Sequence, residues 1–154
     1  MITKFKLFEY EINYVEAYYA TTIREAIDII NKGHLINYSK YPFSTNYEII
    51  EYAIGDDVRD MSEEDIEEWL NYTINWEDKS KGVDLLEDLE NAYGYSSDNV
   101  VIEVKLTGEY AELGDSYIFA KEPSECLFSK VYYNYEEMTA DEFLLKISAS
   151  KYNI

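Results

Sequence analysis

Residues 55–93, GDDVRDMSEEDIEEWLNYTINWEDKSKGVDLLEDLENAY, are the stretch around which this chain is organised. Between Asp56 and Glu90, fourteen carboxylates face three cations, which are Arg59, Lys79 and Lys81. These 35 residues therefore carry −11 of the net charge of −19. So much charge of one sign indicates either a partner of the opposite sign or a face that only keeps the chain in solution.

The first part of this stretch predicts an acidic helix that begins after Ser62. A serine hydroxyl at this position can accept hydrogen bonds from the free amides of the first turn, where the helix dipole also favours acidic residues. Apolar and neutral residues recur at helical spacing as one inward stripe, and these are Ile66, Trp69, Leu70, Thr73 and Ile74. The outer face is formed by Glu64, Glu67, Glu68 and Asn71.

The last part of the stretch predicts a second acidic helix over about 83–93, ended by Gly94. Its inward residues would be Leu85, Leu86, Leu89, Ala92 and Tyr93, and its outward residues Asp84, Glu87, Asp88 and Asn91. Neither outer face has cations at the i+4 spacing that would pair with its carboxylates. Five carboxylates between Glu63 and Glu68 occupy roughly 7.5 Å of helix axis, a length over which duplex DNA carries about four charges.

The remaining segments predict an α+β fold with a mainly antiparallel sheet, about five helices, two of them strongly acidic, and one domain over residues 1–154. The half-buried strand predicted over 100–106 shows the alternation most clearly. Other strands are expected at 3–13, 15–20, 116–121 and 127–135. Helices are expected to begin at the capping boxes of Thr22, Thr45 and Thr139, the first two ending at Gly33 and Gly55.

The residue inventory argues against most catalytic chemistry. The chain has one histidine, His34, and one cysteine, Cys126, so the ligand spacings typical of zinc sites are absent and any nucleophile–histidine pair would have to use His34. We expect His34 to cap a helix C-terminus and Cys126 to lie in the core with a raised thiol pKa. No glycine-rich phosphate loop occurs. We therefore predict no catalytic residue, no metal site and no cofactor.

The charge and hydropathy patterns restrict the partner and the compartment. A sequence pI near 4.2 argues against direct binding to nucleic acid or to an anionic membrane, since both require a basic footprint. It favours a basic protein partner. No signal-peptide pattern and no apolar run long enough to span a membrane is present, so we expect a cytoplasmic protein.

The acidic segments EEDIEEW and DLLEDLE, the small size and the many tyrosines resemble small acidic inhibitors of bacteriophages and mobile elements, the anti-CRISPR and anti-restriction proteins that mimic DNA. This resemblance implies that carboxylates take the place of phosphates in the basic groove of a nuclease. Acidic immunity proteins, which neutralise basic toxin nucleases, share the same physics and are an alternative.

A shorter piece, YVEAYYATTIREAIDIINKGHL, resembles the opening of ADP-ribosyltransferase-like domains, in which a strand closed by threonine leads into a helix finished by glycine. Tyr19-Ala20-Thr21 stands where that family has its NAD-contacting histidine or arginine, so this residue is missing. Asp115 and Ser116 stand where a glutamate before a late strand is expected. The resemblance implies a fold, or a degenerate enzyme.

The sequence hypothesis is a non-enzymatic inhibitor that binds the nucleic-acid-binding surface of a basic host protein. Carboxylates would oppose the lysines and arginines that normally hold phosphates, and exposed tyrosines would supply anchors. The predicted partner-binding residues are Asp56, Asp57, Asp60, Glu63, Glu64, Glu67, Glu68, Tyr72, Asp84, Glu87, Asp88 and Tyr95.

Overall fold

A computed structural model describes residues 13–40, 61–65, 68–69, 81–113 and 116–152 of the chain. The strands in these ranges are β1 (Val15–Thr21), β2 (Ser39–Lys40), β3 (Lys81–Leu86), β4 (Val100–Leu106), β5 (Tyr110–Leu113), β6 (Tyr117–Ala120), β7 (Cys126–Tyr133) and β8 (Glu136–Met138). The helices with full bounds are α1 (Ile23–Lys32), α2 (Leu89–Gly94), α3 (Ala140–Tyr152) and the 3-10 turn Pro123–Glu125. Residues 63–65 and 68–69 are also helical.

Seven strands form one antiparallel sheet in the order β5-β6-β3-β1-β4-β7-β8, and β2 pairs with β3 beside this path. The longest ladders join β4 to its two neighbours: Val15 lies opposite Leu106 on the β1 side, and Val100 lies opposite Tyr133 on the β7 side. The described residues therefore confirm the α+β class and the antiparallel sheet. They contain four helical elements with full bounds, against the expected total of about five.

The β1–α1 connection forms where its local sequence predicts it. Thr22 caps α1, because its hydroxyl accepts a hydrogen bond from the backbone N–H of Glu25 at 3.1 Å. Asp98 caps the same end from a distant loop, accepting from the N–H of Ile23 at 2.8 Å. Gly33 ends the helix at φ +88°, a conformation that favours glycine, and donates to the carbonyl of Ile29 at 2.8 Å.

The β7–β8 hairpin and α3 form the other end of the sheet. Asn134 and Tyr135 connect the two strands with positive φ angles of 49° and 68°, as a two-residue turn of type I′ requires. Thr139 then caps α3 by accepting from the N–H of Glu142 at 3.2 Å, so the predicted helix start at Thr139 is confirmed.

Both faces of the sheet are covered near its centre. On one face, α1 and α3 pack on the sheet, and the buried cluster includes Ile29, Ile102, Val131, Phe143 and Ile147. On the other face, α2 supplies a smaller cluster of Leu86, Ala92, Tyr93 and Val101. Six of the seven β4 residues are consequently buried, and the prediction that β4 is half-exposed is wrong because α2 covers part of its second face.

The predicted second acidic helix over 83–93 is wrong in its first half. Val83 and Leu85 belong to the main cluster, whereas Leu86 belongs to the cluster under α2. These residues form β3 between β6 and β1, where a strand buried on both faces carries a nearly continuous apolar run. Only 89–94 are helical. The strand predicted at 3–13, apart from its last residue, and the helix predicted after Thr45 lie outside the described residues.

Candidate functional site

The helical residues after Ser62 carry the first group of predicted partner-binding side chains. The Ser62 hydroxyl accepts from the N–H of Asp65 at 3.2 Å, which confirms the predicted cap. Glu63, Glu64 and Glu68 are exposed, as is Asp65, while Trp69 is partly buried on the predicted inward side. The side chains of Asp56, Asp57, Asp60, Glu67 and Tyr72 lie outside the described residues.

The second group, Asp84, Glu87 and Asp88, does not form one face of a helix. Asp84 is partly buried in β3 opposite Phe119 and has contacts of its own. Glu87 and Asp88 are exposed in the turn that follows. Asp88 caps α2, since its carboxylate accepts from the N–H of Glu90 at 2.9 Å. Glu87 and Asp88 therefore reach solvent at a strand–helix turn, whereas Asp84 is partly buried in a strand, so the predicted helix face shared by the three residues is wrong.

Tyr95, the other described anchor candidate, directly follows α2 and is 66% exposed. Its ring meets the edge of the Tyr117 ring with 6.4 Å between centroids, and the two hydroxyls are hydrogen bonded. Tyr117 lies opposite Leu86, the last residue of β3. The exposed face of Tyr95 is thus held near the turn that carries Glu87 and Asp88.

The ion pairs of the described residues lie elsewhere. Lys121 pairs with Glu109, Lys146 pairs with Glu136, and Lys130 pairs with Glu103 and Glu137. The exposed carboxylates described within residues 55–93 fall into two groups. The first group is Glu63, Glu64, Asp65 and Glu68, and the second group is Glu87, Asp88 and Glu90. Among the residues that the structure describes, no lysine or arginine forms an ion pair with these seven carboxylates.

Glu103 is a buried carboxylate that the sequence analysis missed. It lies on β4 with 4% of its surface exposed, faces the α2 side of the sheet, and is opposite Tyr18 on one side and Lys130 on the other. The Tyr18 hydroxyl donates to it at 3.4 Å and the Lys130 ammonium lies at 3.7 Å. Burial, and then the nearby Glu103 charge, raise the pKa of Tyr18.

The Glu103 contacts describe a cross-strand charge pair. Such pairs add to sheet stability when opposite charges face each other on neighbouring strands. Because Glu103 occupies a polar position in an alternating strand, the sequence predicts that its side chain is exposed. The one sequence feature that could have indicated burial is Lys130, a cation in a later strand that can lie opposite Glu103. With two partners and little exposure, Glu103 has the character of a structural carboxylate.

The lone cysteine and the lone histidine lie on backbone segments that pair with each other, since the N–H of Leu35 donates to the carbonyl of Cys126 at 3.0 Å. Cys126 is fully buried, and burial, followed by the charge of Glu125, raises its thiol pKa to about 12, as expected. His34 does not cap α1, because Gly33 does so; its Nδ1 lies 2.6 Å from the carbonyl of Leu35, to which the protonated nitrogen donates. Among the described residues, no three histidine, cysteine or acidic side chains converge as metal ligands.

The positions named by the ADP-ribosyltransferase-like resemblance have ordinary packing roles. The Thr21 hydroxyl donates to the Glu25 carboxylate at 2.9 Å, and Tyr19 packs against the main core cluster. Ser116 contributes its carbonyl as acceptor for the N–H of Glu87 at 3.0 Å, and Asp115 lies outside the described residues. The strand–helix–glycine order itself is present in β1, α1 and Gly33.

No helix in the described ranges has the length and apolar character needed to cross a membrane. Comparison with protein-family models, with curated proteins and with solved structures gave no match.

Proposed function

We propose that this chain is a non-enzymatic acidic inhibitor that binds the nucleic-acid-binding surface of a basic protein, such as a CRISPR nuclease or a restriction enzyme, as a DNA mimic. The observation that carries the proposal is the group of exposed carboxylates without an ion-pair partner in the described residues. If the acidic face served only to keep the chain in solution, lysines among the carboxylates would stabilise its helix. No lysine stands four residues after these carboxylates, so like charges lie next to each other and repel.

The spacing of the first group supports a polynucleotide-binding partner. Glu63, Glu64, Asp65 and Glu68 are exposed. One continuous helix carrying them would extend over about 7.5 Å of axis, a length over which duplex DNA carries about four charges. Lysine and arginine side chains that hold phosphates can therefore meet carboxylates at similar intervals. Binding would be fast and would weaken with salt, because steering by complementary charge is screened by ions.

The exposed ring of Tyr95 supports a specific interface in addition to a diffuse attraction. Tyrosine is enriched at the residues that contribute most binding energy, since it offers rigid apolar area together with a polar tip. The hydrogen bond with Tyr117 orients this ring before binding. An immunity protein that neutralises a toxin nuclease would use the same features. Identification of the partner therefore decides between these two kinds of inhibitor.

The test is capture of partners from a bacterial lysate on the immobilised chain, followed by elution with duplex DNA at constant ionic strength. A partner held through its nucleic-acid-binding surface elutes with DNA. The triple variant Glu63→Lys/Glu64→Lys/Glu68→Lys should bind this partner roughly 100-fold more weakly, from about 1 kcal/mol per reversed surface charge.

The matched control reverses three exposed carboxylates outside both groups: Glu112→Lys/Glu122→Lys/Asp141→Lys. It changes the net charge by the same amount and should retain binding within a few fold. Equal loss in the two triple variants would show that only net charge matters. Retention of full affinity in the first variant, or partners that DNA does not displace, would contradict the proposal.

A further inference from the structure

An open groove of about 620 Å³ lies between strand β8 and helix α3. It is lined by Glu136, Glu137, Met138, Glu142, Leu145, Lys146 and Ala149. Phe143 and Ile147 turn toward the core, so the residues of the opposite flank of α3 face this groove. Leu145 is 73% exposed there, although a leucine at that position contributes little to the core of the isolated chain.

The groove runs along the edge of β8. Successive residues of a strand point to opposite faces of its sheet, so a groove lined by all three residues of β8 must follow its backbone edge. In the described part of the chain β8 ends the sheet, with β7 on its inner side. An edge strand offers backbone N–H and C=O groups to any further strand that can approach it.

The charges around this edge select the strand that can approach. Glu136, Glu137 and Glu142 surround the groove, with Lys146 as the cation among its lining residues. A second copy of this chain would bring the same carboxylates and a further −19 of net charge against them. A basic strand instead gains ion pairs, and it can replace Lys146 on Glu136 because that 2.9 Å pair is exposed and therefore weak.

We propose that the β8–α3 groove binds an extended, basic segment of another protein by strand addition to β8. Alternate residues of the segment, lysine or arginine, would lie on the α3 side of the sheet, with their apolar stems against Leu145 and Ala149 and their charges near Glu136 and Glu142. The residues between them would point to the other face, where Glu137 already pairs with Lys130. Main-chain hydrogen bonds give affinity in such complexes, and the side-chain contacts give specificity. This surface is separate from the second acidic group of the proposed function, because that group follows β3, and β8 and β3 are four strands apart in the sheet.

A labelled peptide of sequence KVKVKVK is the probe, because it alternates cationic and β-branched residues. It should bind the full chain in a fluorescence anisotropy titration, and it should slow hydrogen exchange at the amide of Glu137, because the amides of Glu136 and Met138 already face β7 in the antiparallel ladder. Leu145→Ala should weaken binding on the order of fivefold through lost apolar contact. Leu127→Ala is the matched control, since Leu127 is an exposed leucine outside the groove, and it should leave the affinity unchanged.

The other outcomes each overturn the proposal. Equal affinities for the two alanine variants, or unchanged exchange at β8, would mean that the peptide adsorbs to negative charge in general. A helical circular dichroism signal from the bound peptide would show that it binds as a helix and not as an added strand. Binding of the acidic peptide EVEVEVE with similar affinity, or protection of β8 by dimerisation without peptide, would remove the charge selection.

Discussion

Replacement of Gly82 by alanine tests the assignment of 81–86 as a strand. A Cβ atom built on Gly82 would lie 2.3 to 2.7 Å from three atoms of the Phe119 ring. Real Cβ atoms do not approach other atoms so closely, so either the ring or the strand must shift. Phe119 is fully buried, and its backbone is fixed opposite Asp84 in the β3–β6 ladder. The ring therefore has little space into which it can move.

Overpacking of this kind costs about 1–3 kcal/mol. The loss of backbone freedom in the unfolded chain offsets about 0.4–1 kcal/mol of that cost. We expect Gly82→Ala to lower the free energy of unfolding by about 1–2 kcal/mol, and to lower Tm by roughly 2–8 °C at about 2–4 °C per kcal/mol for a chain of this size. Urea titration followed by circular dichroism measures the former and a thermal melt the latter.

Gly94→Ala is the control, because a Cβ there meets no atom within 4 Å. Gly94 is the last residue of α2, so this variant should be neutral or slightly stabilising. The helix predicted over 83–93 would place Gly82 before its first turn, where alanine costs little. Equal stability of the two variants would therefore refute the packing of Phe119 on β3.

Two further predictions concern buried titratable groups. Lys130→Met should lower the free energy of unfolding, because the buried Glu103 carboxylate then keeps only the weak hydrogen bond from Tyr18. Adding Glu103→Gln should recover most of this loss in a urea titration, and additive losses would contradict the pairing. The Cys126 thiol, whose folded pKa is about 12, should resist Ellman's reagent at pH 8 and react at once in urea. Because that folded pKa is raised, its contribution to stability is complete below about pH 8.5 and is lost as pH rises toward 12, a loss that Cys126→Ala should not show.

The elements that depend on near neighbours in the chain follow from the sequence. Thr22, Ser62 and Thr139 each accept the amide hydrogen bond expected of a cap, because the hydroxyl and its donors are at most three residues apart. Gly33 ends α1 for a reason equally local, its positive φ. The excess of carboxylates is likewise a property of the composition. The proposed function depends on it both in the sequence hypothesis and after the fold is known.

The tertiary structure alone decided how the run from Val83 to Leu86 and the carboxylate of Glu103 are placed. An apolar run fits either a helix stripe or a doubly buried strand, and periodicity does not separate the two; pairing with β6 and β1 made it a strand. Glu103 is buried because α2, which directly follows that strand, packs on its side of the sheet and because Lys130, 27 residues later, lies opposite it. Burial is decided by residues distant in the chain, and local sequence carries no record of which of them will meet.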